Sequence, residues 1–186
     1  MKITISGLPG SGTSTIAGKL ADRLGLTLVS AGETFRRLAA EYNMSLEELG
    51  VLAEKDPEID KKLDLEQKRM AREHDDIILE GRLAGHFTED SDLRIWLDAP
   101  LHIRAARISK REGKTIAHVL DETITREECE SDRYKQYYQI DLNDHTIYDL
   151  IIDTSKQTPG NITDRISLEI KDFEKTLQNV KYPRSR

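Results

Sequence analysis

The chain has 186 residues and a formal net charge of −6, from 28 Lys and Arg against 34 Asp and Glu. Its 37% hydrophobic and 33% charged content suits one soluble domain with a full core. No stretch approaches the ~18 consecutive apolar residues of a membrane helix, and the acidic balance argues against a general nucleic-acid binder, which carries a basic footprint.

Met1 leads straight into an apolar strand at 2–6, so no signal peptide is expected and the expected address is cytoplasmic. That strand runs into Gly7-Leu8-Pro9-Gly10-Ser11-Gly12-Thr13-Ser14. Ile16, Ala17, Leu20, Ala21 and Leu24 then recur at helical spacing, with Gly25 placed as a C-terminal cap. A strand at 27–30 precedes a short helix over 33–41. Ser45, with Glu48 three residues on, opens another helix, which Asp56-Pro57 stops. Pro57 begins a longer helix, to about residue 74. Strands follow at 76–80 and 93–97, a helix from Pro100 to Arg111 closed by Gly113, a charged helix at 115–138, a strand at 148–153 and an amphipathic helix at 160–178. The tail 181–186 is expected to fray. Cys129 is the only cysteine, which excludes an internal disulfide framework. The five histidines show no metal-ligand spacing and are read as surface residues.

Alternating strands and helices predict an α/β fold with a parallel sheet covered on both faces. Such sheets bind ligands beyond the carboxyl ends of their strands. At those ends stand the glycine-rich loop, Ser30 to Arg37, Glu80-Gly81-Arg82, Asp98 and Asp153. A glycine-rich loop between a strand and a helix cradles phosphate with inward-turned N–H groups and the helix dipole. Ser14 holds the hydroxyl position that coordinates Mg²⁺ in such loops. Thr13 stands where they carry a lysine, so positive charge for phosphate chemistry must come from elsewhere.

Arginines are the candidates, because the guanidinium fork matches phosphate. Arg104, Arg107 and Arg111 share one face of the helix after Pro100. Arg126 and Arg133 repeat a seven-residue spacing on the next helix, with Glu130 between them. Solvated faces laced with carboxylates are the plainer reading of both. Arg36 and Arg82 each follow a predicted strand, where they can grip a second phosphate; a salt bridge to a neighbouring carboxylate is the alternative.

The chain resembles the nucleoside monophosphate kinases, most closely the archaeal-type cytidylate kinases. GLPGSGTST at 7–15, SAGETFRR at 30–37, ILEGRLAG at 78–85 and IWLDAPLHIRAARISKREG at 95–113 carry the resemblance, with REECESDRYKQYYQIDL at 126–142 and IYDLIIDTS at 147–155. It implies a three-layer P-loop kinase fold with a five-stranded parallel sheet, one domain over 1–186, an acceptor-binding flap at about 31–75 and a short lid at about 107–126. It implies transfer of the ATP γ-phosphoryl group to CMP or dCMP, with Mg²⁺. Gly7, Leu8, Pro9, Gly10, Ser11, Gly12, Thr13, Ser14 and Thr15 would hold the donor phosphates. Arg36, Gly81 and Arg82 would bind the acceptor, and Arg107, Arg111, Arg126 and Arg133 would surround the transferring group. Archaeal-type members share both the hydroxyl residue at Thr13 and the apolar residue at Leu83, where bacterial cytidylate kinases have lysine and aspartate. The residues that select the base are expected within 44–70.

A GTPase would need the loop lysine and an Asn-Lys-x-Asp motif. An adenylate kinase would have a longer lid insertion than the stretch between Arg111 and Arg126. Kinases for UMP or AMP, and a non-catalytic nucleotide sensor, stand as alternatives; the dense arginine set argues against the sensor. A monomer with small-molecule substrates, and without nucleic-acid or membrane partners, is expected.

Overall fold

The computed structural model describes the backbone of residues 1–181 and all their side chains except those of 46, 47, 54, 55, 57, 60 and 174–181. The tail expected to fray therefore lies, beyond its first residue, outside the described residues. Five parallel strands form one sheet: β1 (Lys2–Gly7), β2 (Thr27–Ser30), β3 (Ile77–Glu80), β4 (Leu93–Asp98) and β5 (Leu150–Asp153). Their spatial order is β2-β3-β1-β4-β5. The chain starts at the centre, fills one side with β2 and β3, then crosses β1 to lay down β4 and β5. This reversal opens a crevice at the carboxyl end of β1, where open parallel sheets take ligands. Register pairs Ile5 with Glu80 on one side and with Ile95 on the other.

Every residue of β1 is buried, as a central strand requires. Its alternation splits the molecule into layers. Ile3 and Ile5 face α1 (Thr13–Leu24) and α8 (Pro159–Lys181), meeting Ile16, Leu20, Ile162, Ile166 and Ile170 in the main core. Ser6 faces the other way and accepts a hydrogen bond from the Gly85 N–H, at the short helix α5 (Ala84–Phe87). Behind β3, Ile77 and Leu79 pack with Ala71 and Ala84.

Three helices between β2 and β3 form a layer with an apolar cluster of its own: α2 (Ala31–Glu41), α3 (Leu46–Lys55) and α4 (Pro57–Glu73). Leu38, Ala39, Leu49, Ala53, Ile59 and Leu63 make that cluster. The expected capping box is present, Ser45 accepting from the Glu48 N–H while the Glu48 carboxylate accepts from the Ser45 N–H. Beyond β4, α6 (Leu101–Glu112) ends at Gly113, whose φ of +70° suits glycine, and α7 (Ile116–Tyr138) follows.

Two expectations need correction, and one short helix stands outside them. Two histidines are not surface residues: His145 is half-buried against Trp96, ring centroids 4.5 Å apart, and His86 packs edge-on to Tyr148. The ring of Trp96 covers His145 and that of Tyr148 covers His86, partners distant in sequence, which no local pattern reveals. The last strand starts at Leu150 rather than at residue 148, because Tyr148 closes a turn with its N–H donating to His145. Helix α5 was not foreseen, since four residues are too few to display a period.

Candidate active site

The loop between β1 and α1 is built by its glycines. Gly7 has no room for a side chain: an added Cβ would lie 2.5 Å from the Leu97 carbonyl oxygen. Gly10 has φ +80°, and an added Cβ would meet the Arg104 carbonyl at 2.6 Å. Gly12, at φ +100°, caps α1 without a side-chain hydrogen bond, leaving the first-turn N–H groups of the helix to a ligand.

The loop carbonyls are tied outward. Arg82 Nη1 donates to Gly7 O at 2.8 Å, Arg104 Nη1 to Pro9 O at 3.2 Å and Arg107 Nη1 to Gly10 O at 3.2 Å. The Thr154 hydroxyl donates to Ser11 O at 2.8 Å. A peptide whose carbonyl is held on the outer rim turns its N–H inward, so these four anchors help shape the phosphate nest. Leu8 is half-buried beside this rim and accepts through its carbonyl from the Ser11 N–H.

At the mouth of the loop, three hydroxyls converge on one carboxylate. Thr13 donates to Glu80 Oε1 at 2.6 Å, Ser14 to the same oxygen at 3.2 Å, and Ser30 to Glu80 Oε2 at 2.6 Å. Glu80 is buried at the end of β3. It thereby links the first turn of α1 to the start of α2, where the Ser30 hydroxyl also accepts from the Glu33 N–H. Thr13, at the lysine position, is thus a neutral donor to a buried acid. Thr15, on the same turn, is exposed.

A second cluster joins the sheet to α7. Glu130, its side chain 8% exposed, accepts from Arg82 Nε at 2.5 Å and from Arg126 Nε at 2.7 Å. Burial pushes the Glu130 carboxyl up, but the two guanidiniums outweigh it and bring the pKa down to about 2. Burial also opposes the charge on Arg82; Glu130 and Tyr134 overcome that and leave it above the ordinary arginine value. Glu130 did not enter the sequence-based site, although its spacing between Arg126 and Arg133 was visible.

The remaining predicted residues occupy distinct places. Arg36 is exposed on α2 and, among the described residues, makes no ion pair or hydrogen bond. Gly81 lies against Ala31 of α2, where an added Cβ would approach Ala31 Cβ to 2.7 Å. Arg104 is buried and paired with Glu127, and Arg107 is half-buried with Nη2 donating to Thr154 O at 2.6 Å. Arg111 is exposed and pairs with its neighbour Glu112. Arg133 is half-buried, with its guanidinium 5.6 Å from the Tyr134 ring centroid. The three arginines of α6 therefore divide by depth: two brace the loop from outside and one faces solvent.

The profile of the Cytidylate kinase-like family matches residues 2–156. The chain belongs to the cytidylate kinase-like family. Among its relatives, the cytidylate kinase of Methanocella arvoryzae is 50% identical, covering 94% of this chain and 99% of that protein. The cytidylate kinase of Methanothrix thermoacetophila is 56% identical over 84% of this chain and 90% of that one. Among solved structures, a shikimate kinase from Bacteroides thetaiotaomicron superimposes with a TM-score of 0.64 at 13% identity, over 92% of this chain and 98% of that chain. That likeness extends to the fold, the α/β P-loop kinase architecture. Among the described residues no helix is long and apolar enough to cross a membrane.

Proposed function

We propose that this member of the cytidylate kinase-like family transfers the γ-phosphoryl group of ATP to CMP or dCMP, giving ADP and CDP or dCDP. The observation that carries the reading is the convergence of Thr13, Ser14 and Ser30 on Glu80 at the mouth of a phosphate loop, two residues before Arg82, which pairs with buried Glu130. Half-identity to cytidylate kinases along nearly the whole chain supports the choice of acceptor.

In this reading Gly7 to Thr15 bind the donor phosphates through backbone N–H groups. Arg36, free of partners among the described residues, and Arg82 take the acceptor phosphate, with Gly81 letting the turn approach. The acceptor oxygen attacks the γ-phosphorus in line, with no covalent enzyme intermediate. Arg107, Arg111, Arg126 and Arg133 spread the developing charge from the lid, residues 107–126, and from the helix beyond it. The flap, residues 31–75, carries an apolar cluster separate from that of the sheet, while Ala71 near the end of α4 packs with Ile77 and Leu79. Closure of flap and lid excludes water from the reacting phosphates.

The site suits a magnesium ion held largely by substrate, which needs only one or two protein oxygens and several waters. Ser14 Oγ would be its protein ligand and Glu80 would hold its water; among the described residues no cluster of three or more His, Cys, Asp or Glu suits a metal. When bound, the ion offsets charge on the β- and γ-phosphates. The enzyme acts as a cytoplasmic monomer in pyrimidine nucleotide metabolism.

Parallel ADP-release assays with CMP, dCMP, UMP, AMP and GMP test the reading. Release with CMP and dCMP above the others, abolished by excess chelator, is expected. Release led by UMP or AMP would reassign the acceptor, and none with any of them would leave a nucleotide sensor.

A further inference from the structure

We propose that Gln67 reads the base of the acceptor nucleotide, its side-chain amide pairing with the Watson–Crick edge of cytosine. The inference rests on the kinase reading above and names a residue that engages the base of its acceptor. Gln67 lies on α4, 7% exposed. Among the described residues its amide makes no hydrogen bond, yet its polar atoms are not sealed from solvent. An amide this withdrawn, without a protein partner yet still reached by solvent, can exchange its water for a ligand's hydrogen bonds.

Its position says what completes it. An added Cβ on Gly81 would lie 3.5 Å from Gln67 Oε1 and 2.7 Å from Ala31 Cβ. The amide oxygen therefore lies at the turn between β3 and α5, on which the first residue of α2 also packs. Arg82, the arginine assigned to the acceptor phosphate, is the next residue of that turn. Neighbouring residues on α4 are held at both sides of the amide. Asp64, three residues earlier, accepts from the Tyr138 hydroxyl of α7, and Lys68 Nζ lies 4.4 Å from the Phe87 ring centroid. Phe87 and Tyr138 meet edge-on, centroids 5.3 Å apart. These contacts fix the helix that carries Gln67 while leaving the amide itself unengaged.

The chemistry matches cytosine. A glutamine amide offers one acceptor oxygen and a donor NH₂. Cytosine presents the 4-amino donor beside the N3 acceptor, so both bonds can form at once, as when glutamine reads an adenine edge. Rotating the amide by half a turn would match uracil, so Gln67 orients a pyrimidine and needs other residues to separate the two.

The test compares CMP with its analogue carrying hydrogen in place of the 4-amino group. Wild-type enzyme should use CMP with a kcat/KM about tenfold or more above the analogue, because the analogue leaves Oε1 unpaired. Gln67→Met keeps the length and apolar stem and removes the amide. It should raise KM for CMP about tenfold, leave KM for ATP unchanged and bring CMP and the analogue within about twofold of each other. Wild-type enzyme that treats both alike overturns the proposal without recourse to any variant, as does a Gln67→Met enzyme that retains the wild-type ratio. Wild-type enzyme inactive on every monophosphate would instead remove the kinase reading and the proposal together.

Discussion

Glu130→Gln isolates the energetic role of the buried carboxylate that joins β3 to α7. Glutamine keeps the shape and one acceptor oxygen but stands in for the protonated acid. Lowering the carboxyl from its ordinary 4.5 to about 2 corresponds to a preference for the charged form on the order of 3 kcal/mol. Most of it comes from Arg82, whose side chain is 16% exposed, since Arg126, at 64%, is screened by solvent. The pKa is depressed in the folded state, so this stabilisation is complete above 4.5 and disappears as pH falls toward 2. Urea denaturation of both proteins from neutral pH downward measures it. Wild type should exceed the variant by on the order of 3 kcal/mol near neutrality, and the gap should close across that acidic window. A gap that stays constant with pH, or one below about 1 kcal/mol as for an exposed pair, would refute the reasoning.

Arg82→Ala should cost acceptor use ~1.5–3 kcal/mol, the worth of a charged hydrogen bond. KM for CMP should rise far more than KM for ATP, and equal effects on both would remove Arg82 from the acceptor site. Arg107→Ala should lower kcat more than it raises either KM, and because Arg107 also holds Gly10 O and Thr154, the melting temperature should fall too. Normal turnover with a lowered melting temperature would make Arg107 a brace alone. Gly10→Ala places a β-carbon at φ +80° and 2.6 Å from the Arg104 backbone; backbone strain of about 1–2 kcal/mol, with the clash added, should weaken ATP binding measured by calorimetry. Unchanged ATP affinity would mean that the loop does not need this conformation.

The five strands and most helices were legible because short apolar runs and three-to-four-residue periods are local properties. The loop was legible for the same reason: glycine spacing acts on the backbone nearby. The partners of the arginines were not. Arg82 meets Glu130 across 48 residues and Arg104 meets Pro9 O across 95, distances over which a linear pattern carries no contact information. Reading Arg104, Arg107 and Arg111 as one face was right for the helix, but burial depth divides that face.

Sequence alone thus determined an α/β domain, a phosphate loop without its lysine and a supply of arginines at the functional edge, since propensity, periodicity and glycine placement set each of these locally. Tertiary structure decided what those groups do. It turned Thr13 into a donor to buried Glu80, fastened the loop carbonyls to Arg82, Arg104 and Arg107, and set Glu130 between Arg82 and Arg126. The physical reason is that a charge acquires its partner, its burial and its pKa only when the sheet order brings distant segments together.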